Sequence, residues 1–446
     1  MQQTKLEVTA GITIYASTGL LGRNKPDRMS STQFYLADKG SRLQHLDKNY
    51  YFNVATYTLK FDTKYLHSYE YAPEQGWVTY AKDLGGDTYQ QDDYVFVDKC
   101  YFRVCLKRVD GTDFCRQEEE RINTILKFIS TVKENKEINS VFLPEIKKIA
   151  KKICSLKTKK NLVLAVLTDT HFTINGTWYD TAKNLQAVHR AVNFDSIIHL
   201  GDLTDGMVSR ELTVKYVETM LNDLKELQIP VHIVLGNHDA NYFARNPDVF
   251  SLEEQVELYQ KHSQSYKSEP SLPYYYTDYG EQRIRCVFLN AYDNNEKLRY
   301  GFDQEQVKWL ENVLKNTPEQ YVIIIFSHDA PLAKLDYWSD EIRNGDALLD
   351  VLERHQHKWN NILAYIHGHA HADYIYTERL FPIISLGCAK CEDMQEKKPA
   401  GFVTEKRELG TITQELWDTL IVKPEKRQIE FVRFGAGMDK TITIEG

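Results

Sequence analysis

Long apolar runs are missing from this sequence: no stretch reaches the roughly 18 consecutive apolar residues that predict a membrane-spanning helix. The first residues also lack the basic and apolar regions of a secretory signal, which leaves a cytoplasmic location as the default expectation. The formal net charge of −8 is mild for 446 residues and gives no clear nucleic-acid signature. Membrane-spanning proteins and dedicated nucleic-acid binders are therefore the first classes that the sequence disfavours.

Cysteine is scarce as well. The 7 cysteines are odd in number and scattered, which does not fit the framework of a disulfide-rich protein. Cys388 and Cys391 form a single C-x-x-C pair, without a second pair to complete a zinc site. We interpret the pair as two small residues after a strand, with structural zinc or redox chemistry as the weaker alternative.

What the sequence does have is the composition of a globular protein, 42% hydrophobic and 26% charged. Its length predicts roughly two or three domains. Residues 1–116 are rich in Tyr, Phe and Thr and contain short β-type runs, such as residues 51–59 and 94–97. Short strands at close spacing predict a small all-β sandwich module over 1–116.

The pattern changes to a helical period between residues 117 and 160. Apolar residues recur at helical spacing in two sets, which are Ile122, Ile125, Leu126, Ile129 and Val132, then Ile146, Ile149, Ala150 and Ile153. We therefore predict a helical connector over 117–160 between two domains.

From residue 161 to 446, apolar runs alternate with amphipathic segments, which is typical of an α/β domain with covered sheets. Predicted strands occupy residues 162–167, 197–200, 229–235, 284–289, 321–326, 362–366 and 382–386, followed by a hairpin from 417–422 and 429–434. Two helices have the clearest pattern. One follows the N-cap Ser209 and has Leu212 on its apolar face, and the other covers 302–314, with Asp303 near its start.

Metal-ligand residue types directly follow five of these strands. The segments are Thr168-Asp169-Thr170-His171, Gly201-Asp202-Leu203-Thr204-Asp205, Gly236-Asn237-His238-Asp239, Ser327-His328-Asp329 and Gly368-His369-Ala370-His371. In open α/β sheets, functional groups collect beyond the carboxyl ends of the strands. A polar turn would explain any one segment, but together they supply carboxylate, amide and imidazole ligands for two metal ions. This mixture suits transition metals better than calcium or magnesium.

The order of these motifs, D-x-H, G-D-x-x-D, G-N-H-D, S-H and G-H-x-H, resembles that of the calcineurin-like metallophosphoesterases from Leu162 to Phe434. The resemblance implies a catalytic α/β domain over 161–446, built as a β-sandwich flanked by helices (αββα). It also implies two divalent metal ions, with Mn, Fe or Zn as the candidates. The implied reaction is hydrolysis of a phosphoester through in-line attack by a metal-bound hydroxide.

The resemblance also implies a role for individual residues. One ion would be held by Asp169, His171, Asp202 and His371, and the other by Asp202, Asn237, His328 and His369. Asp202 would bridge the two ions. His238 would assist the leaving group, and Asp205 would orient the imidazole of His238.

The last motif allows further expectations about the backbone. We expect an extended segment from which His369 and His371 point the same way, with Gly368 letting the chain come close to the metal centre. His367 would then point the other way, and we interpret it as structural rather than as a ligand.

The sequence narrows the substrate only in part. Serine/threonine protein phosphatases of this superfamily typically carry GDxVDRG and GNHE, whereas here Asp205 is followed by Gly206 and Met207 and the later motif ends in Asp239. The motif order resembles the phosphodiesterase branch more closely, which favours a phosphodiesterase over a phosphomonoesterase. Asp239 and Asp329 are interpreted as hydrogen-bonding residues at strand ends. The alternative function is a cell-surface or virion binding or structural protein whose metal site is incidental.

The N-terminal segment is similar to β-sandwich modules of Gram-positive secreted proteins and phage tail proteins. The resemblance implies a carbohydrate-binding module or a spacer, with a cell-surface polymer or glycan as a candidate partner beside the phosphoester substrate. Trp77 and Tyr80 could stack on sugar rings, although aromatic residues of a sandwich more often belong to its core. An extracellular or phage-particle location therefore stays open beside the cytoplasmic one.

Overall fold

A computed structural model describes residues 2–32, 34–59, 78–81, 89–130, 138–172, 177–206, 210–242, 246, 248–263, 269–336, 338–392, 401, 403 and 405–444. The chain divides into two compact units, Met1–Lys136 and Glu137–Gly446. The first unit is built mainly from strands, whereas strands and helices alternate in much of the second.

The first unit contains many short strands and one long antiparallel pair, β8 with β11. Its strands are β1 (Gln2–Thr4), β2 (Thr9–Ala10), β3 (Thr13–Ile14), β4 (Leu21–Gly22), β5 (Met29–Ser30), β6 (Tyr35–Ala37), β7 (Arg42–His45), β8 (Tyr50–Leu59), β9 (Val78–Ala81), β10 (Tyr94–Val95), β11 (Cys100–Arg108) and β12 (Leu126–Ser130). A 3-10 turn over Arg116–Arg121 and the one-turn helix α1 (Ile122–Ile125) come directly before β12.

Two sheets pack face to face in the first unit. One has the strand order β1-β12-β7-β10, and the other has the order β2-β5-β11-β8-β9 with β6 also paired to β11. Leu43 and Phe128 of the first sheet lie in the same buried cluster as Phe52, Phe102 and Val104 of the second. The all-β sandwich predicted for this region is therefore confirmed.

The helix predicted over residues 122–132 is wrong beyond Ile125. The next five residues form β12, which pairs antiparallel with both β1 and β7. Burial alternates along this strand, with Leu126 and Phe128 inside the sandwich, and this period of two outweighs the helical spacing read from the sequence. The first unit therefore continues past residue 116. Val132 lies outside the described residues.

The second unit contains two sheets and six described helices. The helices are α2 (Leu143–Leu156), α3 (Trp178–Val192), α4 (Arg210–Lys225), α5 (Leu252–Tyr259), α6 (Gln304–Lys315) and α7 (Gly345–Trp359). The strands are β13 (Leu162–Leu167), β14 (Ser196–His199), β15 (Val231–Ile233), β16 (Tyr275–Tyr279), β17 (Ile284–Phe288), β18 (Val322–Phe326), β19 (Ile362–His367), β20 (Tyr374–Tyr376), β21 (Ile383–Ser385), β22 (Leu416–Lys423), β23 (Gln428–Gly435) and β24 (Lys440–Thr443). In the part of the chain that the structure describes, no helix has both the length and the apolar character that a bilayer crossing requires.

These elements form four layers. Sheet I has the order β15-β14-β13-β22-β23-β24, and sheet II has the order β16-β17-β18-β19-β21-β20. Apolar side chains of both sheets, such as Leu164 and Ile198 from sheet I and Phe326 and Ile366 from sheet II, meet in one buried cluster between them. Helices α2 to α5 cover the outer face of sheet I, and α6 and α7 cover that of sheet II. The predicted αββα architecture is confirmed.

Strand β13 explains why an unbroken apolar run in the sequence predicts a strand here. Leu162, Leu164 and Val166 face the space between the sheets, whereas the alternate residues Val163 and Ala165 face the helices. Because both faces are buried, every position is apolar, as expected for a covered parallel strand. All nine strands predicted over 161–446 are present, and their ends differ from the predictions by two residues at most. The sequence reading missed β16, β20 and β24, which lie at sheet edges.

For two of the predicted helices, the sequence also predicted residues near the helix start. Helix α6 begins where expected, because the Asp303 side chain accepts a hydrogen bond from Gln306 N at 2.5 Å. Ser209 and the side chain of Leu212 lie outside the described residues.

Helix α2 does not belong to a separate connector. Its residues Ile146, Ile149 and Ile153 are buried in the layer outside sheet I, which makes α2 part of the second unit. The apolar spacing therefore predicted the helix correctly. The helix packs on sheet I, however, and does not form a connector between two domains.

A buried ion network joins sheet I to the loop that follows β19. The Arg433 guanidinium donates to both carboxylate oxygens of Asp418 at 2.8–2.9 Å and to both of Asp373 at 2.9–3.0 Å. Lys440 donates to Asp373 as well. Burial disfavours the charged guanidinium, but the two carboxylates raise the pKa of Arg433 well above its usual value. Asp373 lies two residues after His371, so the network anchors the end of the G-H-x-H loop.

We expect the substitution Arg433→Met to destabilise the second unit by about 3–5 kcal/mol, because it leaves two buried carboxylates without their main partner. Urea unfolding followed by tryptophan fluorescence measures this change. The matched control is Lys160→Met, which removes the exposed pair with Glu425 and should leave the midpoint unchanged. Equal midpoints for the two variants would contradict a stabilising role for the network.

Candidate metal centre

The candidate ligands lie in loops after parallel strands of both sheets. The loops after β13, β14 and β15 belong to sheet I, and those after β18 and β19 belong to sheet II. Together they carry Asp169, His171, Asp202, Asn237, His328, His369 and His371. Six of these residues are buried, and the side chain of His371 is only 10% exposed.

The backbone of these loops is strained. Five of the seven residues have a positive φ, and these are Asp169, His171, Asp202, His369 and His371. Non-glycine residues in this conformation cluster at functional sites, where surrounding contacts hold them. The extended backbone expected at His369 and His371 is therefore wrong, since both residues are left-handed. The turn at each residue directs its imidazole towards the ligands of the neighbouring loops.

Gly368 makes the approach of these loops sterically feasible. A Cβ at this position would lie 1.9 Å from Thr168 Oγ1 and 2.6 Å from Asp169 Oδ2, so any side chain would clash. The backbone N–H of Gly368 donates to the His328 carbonyl at 3.0 Å, and that of His369 donates to Asp169 Oδ2 at 3.0 Å. The expected close approach at Gly368 is confirmed, and it joins loops from both sheets.

Asp169, His171 and His371 form a first group, whose ligand atoms all lie within 4.8 Å of one another. His171 Nε2 and His371 Nε2 are 3.1 Å apart. Asp169 Oδ1 lies 3.2 Å from His371 Nε2 and 3.9 Å from His171 Nε2. This oxygen is buried and has no hydrogen-bond partner of good geometry among the described residues.

Asp202, His328 and His369 form a second group, whose ligand atoms also lie within 4.8 Å of one another. His328 Nε2 lies 3.3 Å from Asp202 Oδ2 and 3.2 Å from Asn237 Oδ1. The structure therefore brings Asn237 to this group as well. The two groups together contain every ligand that the sequence nominated.

One oxygen atom lies between the two groups. Asp202 Oδ2 is 3.3 Å from His328 Nε2 in the second group and 3.8 Å from His171 Nε2 in the first. The other carboxylate oxygen, Oδ1, accepts a hydrogen bond from His238 N at 2.8 Å, which fixes the orientation of the carboxylate. Oδ2 is therefore directed at ligands of both groups.

Two imidazoles are oriented through their Nδ1 atoms. His328 Nδ1 lies 2.7 Å from the Leu200 carbonyl oxygen, and His171 Nδ1 lies 3.5 Å from Asp205 Oδ1. A carbonyl only accepts, so His328 Nδ1 carries a proton, and Nε2 is the nitrogen that can bind a metal ion. Contacts of this kind orient metal-binding histidines. In both residues Nε2 is the nitrogen that faces the other ligands.

Carboxylates orient the other two imidazoles. His371 Nδ1 lies 3.3 Å from Glu392 Oε2, which forms an ion pair with Lys390 Nζ at 2.8 Å. The imidazole of His369 has the opposite orientation to the other three. Its Nε2, and not its Nδ1, lies beside carboxylates, 3.3 Å from Asp329 Oδ1 and 3.5 Å from Asp336 Oδ1. Nδ1 is therefore the nitrogen of His369 that remains for the second group.

The sequence reading did not identify Glu392 and Asp336 in these positions. Neither belongs to a recognisable motif, and each reaches the centre through a loop whose path the sequence pattern does not define. Cys388 of the C-x-x-C pair also lies within ligand distance of His371 and Glu392. Asp329 was interpreted as a hydrogen-bonding strand-end residue, and its observed partner is the imidazole of His369.

The expected partnership of Asp205 and His238 needs correction. His238 Nδ1 donates to the backbone carbonyl of Asp205 at 2.5 Å, whereas the Asp205 carboxylate lies beside His171. The residue contacts His238 as expected, but through its main chain. His238 Nε2 lies 3.9 Å from Asp202 Oδ2 and so faces the centre.

His367 and Asp239 have the structural positions that the sequence suggested. His367 Nε2 is 2.6 Å from the Tyr374 hydroxyl, and burial lowers the pKa of His367 to about 3. Asp239 accepts backbone hydrogen bonds from Asp202, Leu203 and Gly236 at 2.8–3.0 Å. Burial raises the pKa of Asp239 to about 7, with the Asp202 charge adding to the effect.

The donor set fits divalent cations. His328 Nε2 lies 3.2 Å from Asn237 Oδ1, and the Nε2 atoms of His171 and His371 lie 3.1 Å apart. Ligands bound to one ion at about 2.1 Å lie roughly 3 Å apart, which matches these separations. Burial alone would raise the pKa of Asp169 and Asp202, but nearby imidazoles lower both, which favours ionised carboxylates. The mixture of nitrogen and oxygen donors suits Mn, Fe or Zn.

Protons compete with metal ions for these nitrogens. Burial lowers the pKa of His328, but the charges of Asp202 and Asp169 raise it well above its usual value in the absence of a cation. Burial also lowers the pKa of His371, but Cys388 and Asp169 raise it well above its usual value. Metal binding at these imidazoles therefore displaces protons.

Residues 162–373 match the family model described as calcineurin-like phosphoesterase. This segment contains all seven candidate ligands and His238.

Two curated relatives also match parts of the chain. The human protein named manganese-dependent ADP-ribose/CDP-alcohol diphosphatase is 25% identical over 178 residues, which cover 30% of this chain and 51% of the human protein. The chain thus spans about half the length of that relative. The Arcobacter nitrofigilis protein named "Probable glycerophosphodiester phosphodiesterase GpdQ" is 24% identical over 227 residues, 47% of this chain and 72% of that protein.

A solved structure, the dimetal phosphatase from Danio rerio, aligns with 64% of this chain and 99% of its own, with a TM-score of 0.47 and 18% sequence identity.

We predict that Asp202→Asn weakens metal binding at both groups, because Oδ2 faces ligands of each. Inductively coupled plasma mass spectrometry on dialysed, manganese-loaded protein should give about two ions per wild-type chain and at most about one in the variant. Asp350→Asn, an exposed position on α7, is the matched control and should bind as the wild type does. Two ions in folded Asp202→Asn would contradict the shared role of this carboxylate.

Proposed function

We propose that the protein is a dinuclear-metal-dependent phosphoester hydrolase, because residues 162–373 match the family model described as calcineurin-like phosphoesterase. The observation that carries this proposal is the position of Asp202 Oδ2, within 3.3–3.8 Å of an imidazole in each ligand group. A structural or binding protein has no need for two buried sets of ligands around one carboxylate. The alternative of an incidental metal site is therefore less favoured.

The two groups would each hold one ion. Asp169, His171, Asp202 and His371 are proposed for the first, and Asp202, Asn237, His328 and His369 for the second. Paired divalent ions supply charge neutralisation at the phosphoryl group and an activated water near neutral pH. The chain contributes the positions of the ligands, and the carboxylates and carbonyls behind the imidazoles hold each ring in place.

His238 is proposed to donate a proton to the leaving oxygen. Its Nδ1 proton is held by the Asp205 carbonyl at 2.5 Å, so Nε2 is the nitrogen that exchanges a proton. Nε2 lies 3.9 Å from Asp202 Oδ2, on the side where the phosphoryl group would bind. A protonated Nε2 there can stabilise the oxygen that departs as the P–O bond breaks. Asp205 acts as the positioning residue through its main chain.

Diesters are proposed as better substrates than monoesters. The two relatives are named as a diphosphatase and as a phosphodiesterase, which favours substrates whose phosphorus carries two ester or anhydride links. The residues after Asp205 also lack the arginine typical of protein phosphatases.

The first unit is proposed as a module for a polymeric or glycan partner. Trp77 and the side chain of Tyr80, the candidates for sugar stacking, lie outside the described residues.

We expect His238→Ala to lower kcat by about 100-fold or more on a diester with an alkyl leaving group. The loss should be smaller with bis(p-nitrophenyl) phosphate, because p-nitrophenolate leaves without needing a proton. Steady-state kinetics of the manganese-loaded protein with both substrates measures this difference. His357→Ala, an exposed histidine on α7, serves as the control and should match the wild type.

Equal losses for the two leaving groups would argue against proton donation by His238. If the metal-loaded wild type hydrolysed none of a panel of diesters and monoesters, the proposed function itself would be contradicted.

A further inference from the structure

Arg299 lies in a loop that connects to the metal centre through a series of aromatic rings. The Tyr300 ring is 5.2 Å from the His369 ring, and the Tyr292 ring is 5.4 Å from that of Tyr300. Tyr292 and Tyr300 pair across the loop in an isolated β-bridge, and Asp293 N donates to the Arg299 carbonyl at 2.9 Å. The loop therefore has a defined conformation next to a proposed ligand.

Two phenols hold the guanidinium of Arg299. Arg299 Nη2 donates to the Tyr242 hydroxyl at 3.1 Å, and the guanidinium carbon lies 4.3 Å from the centre of the Tyr242 ring. The positive charge of the guanidinium also acts on the Tyr292 phenol, where it lowers the pKa against the larger effect of burial. Tyr242 is four residues after His238, so the guanidinium lies between the loop of the proposed proton donor and that of Tyr292.

The charge of Arg299 is not neutralised by a neighbouring acid. Among the described side chains, none with a carboxylate lies within ion-pair distance of Arg299, whereas nearby Arg343 faces Glu296 at 3.8 Å. The residue is only partly buried, so ligand can reach its guanidinium. Phenols are neutral partners, and they orient the guanidinium without satisfying its charge. An accessible cation in this setting attracts an anion.

The donors around Arg299 match a phosphoryl group. A guanidinium presents several N–H groups in a planar fork, which suits phosphate oxygens better than a point charge does. The Tyr242 phenol accepts from Arg299, and each of the two phenols has an O–H proton to donate to a further acceptor. Burial raises the pKa of Tyr292 to about 12, so this hydroxyl keeps its proton near neutral pH. Three donor groups thus lie in one neighbourhood, which is linked to the proposed ligand His369 through the Tyr300 ring.

We propose that Arg299, Tyr242 and Tyr292 form a subsite for a second phosphoryl group, so that the preferred substrates are diphosphate diesters. This inference rests on the proposed function, because it places one phosphoryl group at the metal ions and the other at Arg299. Hydrolysis then breaks the P–O–P link, water adds to one phosphorus, and the second phosphoryl group leaves with the bridging oxygen. A glycerophosphodiester has no group for this subsite.

The kinetic test is the ratio of kcat/KM for ADP-ribose to that for bis(p-nitrophenyl) phosphate in the manganese-loaded full chain. We expect Arg299→Met to lower this ratio about 10- to 100-fold, since the variant loses charge-assisted hydrogen bonds to the second phosphoryl group alone. Arg299→Lys should keep part of the preference, because it retains the charge but not the fork. Arg354→Met, an exposed arginine paired with Glu311, is the matched control and should keep the wild-type ratio.

A binding test separates this inference from the proposed function. Titration calorimetry with methylenediphosphonate, whose P–C–P bridge resists hydrolysis, and with methylphosphonate compares two phosphoryl groups with one. We expect at least about tenfold tighter binding of the diphosphonate by wild type and Arg354→Met, and loss of this preference in Arg299→Met. No preference in the wild type, or an undiminished preference in Arg299→Met, would overturn the subsite even if the enzyme is active. If the wild type hydrolyses neither ester, the proposed function fails, and the binding result still decides the role of Arg299.

Discussion

The arrangement of the second unit depends on one carboxylate oxygen, Asp202 Oδ2, that faces ligands from two different sheets. His171 belongs to a loop of sheet I and His328 to a loop of sheet II, yet their Nε2 atoms lie 3.8 Å and 3.3 Å from this oxygen. A cluster of acceptors this dense and this buried is unfavourable without positive charge, either from protons or from metal ions. The fold therefore requires positive charge, from protons or from metal ions, at the place where loops of its two sheets meet.

The architecture explains how residues so far apart in sequence reach one place. Parallel strands place their carboxyl ends at one edge of each sheet, and the apolar layer between the sheets brings the two edges together. Three of these loops turn through left-handed residues, and at Gly368 the absence of a side chain lets two loops come into contact. The ion network of Arg433 and Asp373 then anchors the far end of the G-H-x-H loop.

Much of this was predictable from sequence, because strands buried on both faces give unbroken apolar runs and because the ligand types follow them directly. The failures have physical causes. Residues 126–130 fit a helical spacing and a strand spacing almost equally, and long-range pairing with β1 and β7 decided between them. Asp336 and Glu392 act through loops of irregular path, which no local pattern specifies. The contact of Asp205 with His238 is made by a main-chain carbonyl, which sequence motifs do not reveal.

The dinuclear centre is tested most directly by an anomalous-diffraction map from crystals of the protein grown with Mn²⁺. We expect two peaks about 4 Å apart on either side of Asp202 Oδ2. One peak should contact His171 and His371, and the other should contact Asn237 and His328. A single peak, or two peaks that do not share Asp202, would contradict the claim that this carboxylate organises a dinuclear centre.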